Sequence, residues 1–296
     1  VTDYQRAQIC RDRDNLYPIS ALGRDFTGCK GLTDIAVNDP DLVHINFVAP
    51  NSKSIARLLP QMAWYVYFAA HVAENTDFKK IEFFTPSGNY GNSTAGVMAL
   101  NAIRTGAELS GESVPEIKIN IASNDNNVVP AFYNTGKYVP EIKAIPTHSN
   151  AMDVADPSNF KRILAMYGLV LDSDGCVEMD SEGWKKLNED TTAQSVSQKE
   201  TEETLRKYYV RGIQICPHGA VGLTAMGRKV DEGLNPNTAY ISILTADPSK
   251  FSNEINTILG QKIISEPIID WKYDENPRTV ANYTDLKEII LKITNN

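Results

Sequence analysis

Seven consecutive residues, Pro86-Ser87-Gly88-Asn89-Tyr90-Gly91-Asn92, have the types and spacing to hold an anion. Gly88 and Gly91 let the backbone come close to a bound group. Asn89, Asn92 and the following Ser93 offer side-chain donors. Ile81-Glu82-Phe83-Phe84-Thr85 before the turn reads as a buried strand. Ser93 to Arg104 after it sets Val97, Met98, Leu100 and Ala102 at near-helical spacing, with Gly106 as the expected stop. A glycine-rich turn from strand into helix binds phosphate through its backbone N–H groups and through about half a positive charge at the helix N-terminus. A triphosphate loop needs Gly-Lys-Ser/Thr, but Asn92 follows Gly91. A dinucleotide fingerprint needs Gly-x-Gly-x-x-Gly, but the glycines stand at 88, 91 and 96. With no lysine or arginine, the turn suits one phosphate monoester held by neutral donors. A tight strand-to-helix turn without a ligand is the plainer alternative.

Pyridoxal phosphate carries such a monoester, and Ser-Gly-Asn-Tyr-Gly-Asn closely resembles the cofactor-phosphate loop of the threonine synthases. Further segments resemble that family in the same order. Upstream lie Asp3-Tyr4-Gln5-Arg6-Ala7-Gln8, Gly23-Arg24-Asp25-Phe26-Thr27-Gly28-Cys29 and Asn51-Ser52-Lys53-Ser54-Ile55-Ala56-Arg57. Downstream lie Ser149-Asn150-Ala151-Met152-Asp153-Val154, Pro157-Ser158-Asn159-Phe160-Lys161-Arg162, Pro217-His218-Gly219-Ala220-Val221-Gly222 and Thr245-Ala246-Asp247-Pro248-Ser249-Lys250-Phe251. The resemblance covers nearly the whole chain. It implies a tryptophan-synthase-β-like α/β fold, that of the fold-type II pyridoxal-phosphate enzymes, with open twisted sheets flanked by helices. It also implies conversion of O-phospho-L-homoserine and water to L-threonine and phosphate, with pyridoxal 5'-phosphate as cofactor. A related phospholyase, or a binding homologue without turnover, is the alternative.

Carried over residue by residue, the resemblance implies a cofactor site of Gly88, Asn89, Tyr90, Gly91, Asn92 and Thr245. Thr245 follows the expected strand Ala239–Leu244, at the carboxyl edge where α/β sheets place ligands. A hydroxyl there faces the pyridine nitrogen; the competing role is a helix cap, shared with Asp247. Ser52 and Arg57 are the implied substrate-phosphate residues, a hydroxyl and a guanidinium fork. Asn124-Asp125-Asn126-Asn127 reads as a turn outside the site. Asp153, Asn159 and Arg162 read as a buried hydrogen-bonded network, and His218 as structural.

Threonine synthases carry the Schiff-base lysine upstream, in a Phe-Lys-Asp segment, along with a Ser-Gly-Asp-Thr-Gly turn. Neither occurs here, and Asp77-Phe78-Lys79-Lys80 falls in the wrong place. No catalytic lysine is therefore expected in this chain. It is expected to be N-terminally truncated, roughly the last two-thirds of such an enzyme, and inactive alone.

The remaining composition sets the frame. The chain has 296 residues, 42% hydrophobic and 22% charged, enough for a sizeable core. Its net charge of -8 disfavours nucleic acid as a partner. The most apolar window, Met62 to Ala70, is too short to span a bilayer, and a cytoplasmic location is expected. Cys10, Cys29, Cys176 and Cys216 are widely spaced, and the histidines at 44, 71, 148 and 218 show no metal-ligand spacing. The oligomeric state is not legible. Residues 1–50 are expected to belong to a smaller α/β domain with a strand at His44–Val48. Residues 51–296 are expected to form the rest of the large cofactor domain. Within that domain a helix kinked at Pro60 runs from about Ser54 to Glu74. A half-buried strand at Ile117–Ile121 and a helix at Asn159–Tyr167 come next. A polar surface excursion follows near 172–204, then helices at Gly219–Asp231 and Pro248–Leu259.

Overall fold

The computed structural model describes residues 3–23, 26–48, 54–265, 269 and 271–294. In chain order its elements begin with α1 (Asp3–Ile9), β1 (Ile19–Ala21), α2 (Phe26–Val37), α3 (Ile55–Asn75), β2 (Lys80–Pro86) and α4 (Gly91–Ser110). Next come β3 (Glu116–Ser123), α5 (Val128–Thr135), α6 (Phe160–Met166), α7 (Glu182–Asp190), β4 (Thr191–Ser195) and α8 (Gln198–Val210). The last are α9 (Pro217–Asp231), β5 (Thr238–Ser242), α10 (Ser252–Leu259), β6 (Arg278–Val280) and α11 (Tyr283–Thr294). Short 3-10 turns occupy Pro40–Leu42, Asn150–Met152 and Pro248–Phe251.

The chain divides into two compact units, residues 1–49 with 266–296, and residues 50–265. In the first, β1 pairs in parallel with β6 from Ile19↔Arg278 to Ala21↔Val280. Leu32, Val280 and Leu286 form its small apolar cluster. Residues 266–296, expected with the large domain, group here because β6 has its ladder partner in β1. A three-residue strand carries too little periodicity to announce that pairing. His44–Val48 is turn and coil, not the expected strand. Its alternating residues find no ladder partner.

The second unit is built on a four-stranded parallel sheet in the order β4-β3-β2-β5. A parallel sheet has helices on both faces, so its central strands read as continuous apolar runs. β2 meets this requirement, buried from Ile81 to Pro86. Alternate side chains serve the two layers. Ile81 and Phe83 join the cluster of Tyr65 in α3 and Val97 and Leu100 in α4. Phe84 joins Val221 and Ala225 of α9 on the other face. β3 is more buried than its alternation implies, because Asn120 is covered too. The Asn120 amide donates to Glu82 Oε2 at 3.3 Å, and its carbonyl oxygen accepts from Thr192 Oγ1 at 2.7 Å.

Two expectations fail for physical reasons. The polar stretch near 172–204 is not a surface excursion. It contains β4, which pairs with β3 from Ile119↔Thr191 to Ser123↔Ser195, with all of α7 and the first half of α8. An edge strand needs few apolar side chains, and Thr-Thr-Ala-Gln-Ser satisfies its ladder through backbone alone. Gly106 does not stop α4. The helix runs on to Ser110 and ends at Gly111, whose φ of 73° supplies the left-handed cap. The helix expected across Pro60 is present as α3, which runs from Ile55 to Asn75.

One buried charge ties these layers together. Asp190, 1% exposed, receives Arg104 of α4 in two bonds of 2.6 Å. Tyr167 donates a third bond at 3.1 Å, and Lys186 approaches at 3.2 Å. Burial opposes ionisation of Asp190, but the Arg104 hydrogen bonds and charge outweigh it and hold the carboxyl below its ordinary range. Arg104→Ala is expected to lower the unfolding free energy in urea by roughly 3 kcal/mol, since the carboxylate stays buried. Lys186→Ala should cost about 1 kcal/mol or less. Equal losses would show that Arg104 is not the dominant partner.

Candidate functional site

The parallel registers Lys80↔Thr238 to Phe84↔Ser242 bring the ends of β2 and β5 to one edge of the sheet. The turn after β2 and Thr245 after β5 therefore share the carboxyl edge, and both line a cleft of about 390 Å³. Gln61 and Trp64 of α3, Ala151 and Met152, and His218 at the start of α9 complete its polar and apolar walls. Among the described residues no Asp, Glu, Lys or Arg lines it.

The turn is shaped by Tyr90, whose φ of 61° and ψ of 15° lie in the left-handed region. A bulky residue adopts that conformation only when its surroundings hold it there. Here the ring is buried edge-on against Phe160, and its hydroxyl bonds to Ser123 Oγ. Tyr90 thus serves the core with its side chain and the site with its backbone. The helix it opens has no side-chain cap, and the first helical bond is Thr94 N–H to Tyr90 O at 2.9 Å. The N–H groups of Gly91, Asn92 and Ser93 have no acceptor within the helix. An anion there gains about 0.3–2 kcal/mol from the helix dipole.

The other turn residues divide their duties. Asn92 accepts from Tyr65 Oη at 2.7 Å, so its oxygen is taken and its amide hydrogens remain for another acceptor. Asn89 is an anchor: its Oδ1 accepts from Ser158 N–H at 2.8 Å, and its carbonyl accepts from Asn159 Nδ2 at 3.0 Å. Ser93, expected as a donor to the anion, is fully buried and bonded to Ser87 Oγ. Gly88 is needed for close approach. A Cβ there would stand 2.6 Å from Met152 Cα and 3.0 Å from Ala151 O.

The segment beneath Gly88 is itself fixed. Asp153 Oδ1 accepts from Thr147 Oγ1 at 2.7 Å and from Asn124 Nδ2 at 2.8 Å, and Asn126 Nδ2 donates to Ile145 O at 2.9 Å. Burial pushes the Asp153 carboxyl up, against these bonds. The Asn124–Asn127 turn thus supports the site from outside it. Arg162 lies on α6, away from the cleft lining.

Thr245 is exposed and is not the helix cap. Asp247 takes that role, accepting from Ser249 N–H at 2.9 Å, which leaves the hydroxyl of Thr245, a lining residue of the cleft, uncommitted to capping. Ser52 lies outside the described residues. Arg57 is exposed in the first turn of α3 and does not line the cleft. It does share a helix face with Gln61 and Trp64, at i, i+4 and i+7.

Three lining residues were not singled out for the site by sequence. Gln61 and Trp64 lie in an ordinary amphipathic helix and give no signal. His218 had a signal in Pro217-His218, but one that points equally to structure. Its Nε2 accepts from Ala151 N–H at 3.1 Å, while Nδ1 is buried without a partner among the described residues. The same holds for Gln61 Oε1. Burial pushes the His218 imidazole down to about 4. A buried polar atom left unpaired costs about 1–3 kcal/mol, so two of them in one cleft fit a polar ligand that supplies their partners. Among the described residues no His, Cys, Asp and Glu group is arranged to hold a metal ion.

Gly88→Ala is expected to weaken binding of a phosphate monoester by about tenfold or more, because the turn must lift off the 151–152 backbone. Gly106→Ala, where a Cβ meets nothing within 4 Å, should leave binding unchanged and stabilise α4 by about 0.5–1 kcal/mol. Isothermal titration of both variants decides this. Unaltered binding by the Gly88 variant would separate the turn from the ligand.

No protein-family model matches the chain. It is 29% identical over 273 residues to the threonine synthase of Saccharomyces cerevisiae, matching 83% of this chain and 51% of that protein. It is 30% identical over 266 residues to that of Buchnera aphidicola from Acyrthosiphon pisum, matching 89% of this chain and 54% of that protein. The chain thus spans about half the length of the curated relatives it matches. Among solved structures, a pyridoxal-phosphate-bound threonine synthase from Brucella melitensis superposes with a TM-score of 0.78 at 21% identity, covering 100% of this chain and 64% of that one. The Escherichia coli threonine synthase superposes at 0.72 with 25% identity, covering 97% and 61%. Among the described residues no helix is long and apolar enough to cross a membrane. In sequence this chain is similar to threonine synthases, and its fold is that of the fold-type II pyridoxal-phosphate enzymes.

Proposed function

We propose that this chain forms the cofactor-phosphate side of a threonine synthase, which converts O-phospho-L-homoserine and water to L-threonine and phosphate. The observation that carries the reading is the uncapped N-terminus of α4 opening on a cleft that contains no charged side chain among the described residues and that reaches Thr245. Similarity over most of the chain to threonine synthases supports the same assignment. Activity would then require the part of such a protein that this chain does not span. A cytoplasmic location goes with the reading, as does a small-molecule substrate and no nucleic-acid partner.

Pyridoxal phosphate, when bound, supplies an electron sink for carbanion chemistry at the amino-acid substrate. The chain's own residues do the holding. The N–H groups of Gly91 and Asn92 and the Asn92 amide bind the phosphate oxygens, with Gly88, Asn89 and Tyr90 setting the turn. The Thr245 hydroxyl hydrogen-bonds the pyridine nitrogen and, being neutral, leaves it without a full proton. Ser52 and Arg57 hold the phosphate of the substrate. The guanidinium extends the face of α3 that already lines the cleft with Gln61 and Trp64.

Titration of the full chain with pyridoxal 5'-phosphate, followed by tryptophan fluorescence, should show binding at least about tenfold tighter than pyridoxal. Equal affinities would sink the phosphate-site reading. In the complete enzyme Arg57→Ala should raise KM for O-phospho-L-homoserine about tenfold or more with a smaller change in kcat. Unchanged kinetics would remove Arg57 from the substrate site. Product analysis with other phosphorylated amino acids separates threonine synthesis from a related phospholyase activity.

A further inference from the structure

His218 occupies a place in the cleft that the reading above leaves unused. It is 4% exposed, packed against Phe251 with ring centroids 4.3 Å apart, and lines the same cleft as the Pro86–Asn92 turn. Its tautomer follows from its one partner. Ala151 N–H donates to Nε2 at 3.1 Å, so in the neutral ring the proton sits on Nδ1. That Nδ1 is buried and finds no acceptor among the described residues. A donor so placed is built for an acceptor that arrives with the ligand.

The cleft narrows the choice of acceptor. Among the described residues its lining offers no carboxylate to a donor and no cation to an anion. Every group that the turn presents is a neutral donor, and a neutral imidazole N–H is one more of the same kind. Burial keeps the ring uncharged at neutral pH, so it adds a hydrogen bond without adding charge.

We propose that His218 is a ligand-binding residue of this cleft, donating from Nδ1 to an oxygen of the phosphate monoester held at the Pro86–Asn92 turn. This rests on reading the cleft as a pyridoxal-phosphate site. The same ring holds Ala151 through Nε2, and Ala151 lies directly beneath Gly88. His218 therefore touches both the ligand and the floor on which the turn rests.

Two substitutions separate these contacts. In His218→Asn the amide nitrogen falls near the position of Nδ1, which keeps the donor and loses the acceptor for Ala151. In His218→Gln the amide oxygen reaches toward the position of Nε2, which keeps Ala151 and loses the donor. The asparagine variant should bind pyridoxal 5'-phosphate about tenfold more tightly than the glutamine variant. Equal affinities, or the reverse order, would assign His218 to holding Ala151 alone and overturn the proposal. The wild-type full chain gives a second readout that needs no variant. With nitrogen-15 histidine labelling, the His218 Nδ1–H resonance should shift on adding pyridoxal 5'-phosphate or inorganic phosphate and stay in place with pyridoxal. An unmoved resonance in a chain that still prefers pyridoxal 5'-phosphate to pyridoxal defeats the proposal while the cofactor reading stands. Loss of that preference defeats both.

Discussion

The backbone conformation at Tyr90 is the constraint on which the rest of the site depends. A tyrosine at φ 61° is held there by its own buried ring, seated against Phe160 and bonded to Ser123. The core thereby fixes the direction in which α4 leaves the turn. A glycine at this position would adopt the angle more readily, but it would not couple the turn to the packing. With tyrosine the helix N-terminus is set by the same contacts that build the second unit. Those contacts also leave its first N–H groups free of a side-chain cap.

Among the described residues the site that results offers a ligand dipoles rather than charges. A helix N-terminus, an oriented amide and a buried imidazole are weak donors one at a time. They act together here because each is already fixed by something else. Tyr65 holds the Asn92 oxygen, the helix holds the backbone N–H groups, and Ala151 sets the tautomer of His218. Pre-orientation removes the ordering cost that flexible lysine side chains would carry on binding. It also keeps a bound phosphate from sitting beside a competing carboxylate.

Support for the turn comes from a polar network well outside the cleft. Asp153, Thr147, Asn124 and Asn126 fix residues 145–153, and Gly88 packs on the backbone of that segment. The network tolerates a half-buried carboxyl because several donors face it at short range. Rigidity at the ligand is therefore inherited from hydrogen bonds that touch no ligand. The residues that look least catalytic hold the floor of the site.

How much of this was legible in the chain depends on the range of the forces involved. The phosphate turn, its flanking strand and helix, and Thr245 at the end of a strand were readable, because glycine placement and apolar runs are local signals. The α/β class followed from the alternation of those runs. Gln61, Trp64 and the unpaired nitrogen of His218 were not readable as site features, since only the parallel pairing of β2 and β5 gathers distant residues at one edge. β4 was invisible because an edge strand of polar residues pairs through its backbone, which sequence patterning does not record. The grouping of residues 266–296 with the first unit was hidden for a similar reason, its strand being only three residues long. Residue types alone pointed to a turn suited to a phosphate. Tertiary packing decided which of its side chains face the ligand, turning Tyr90 and Ser93 inward to the core and bringing His218 up to the cleft.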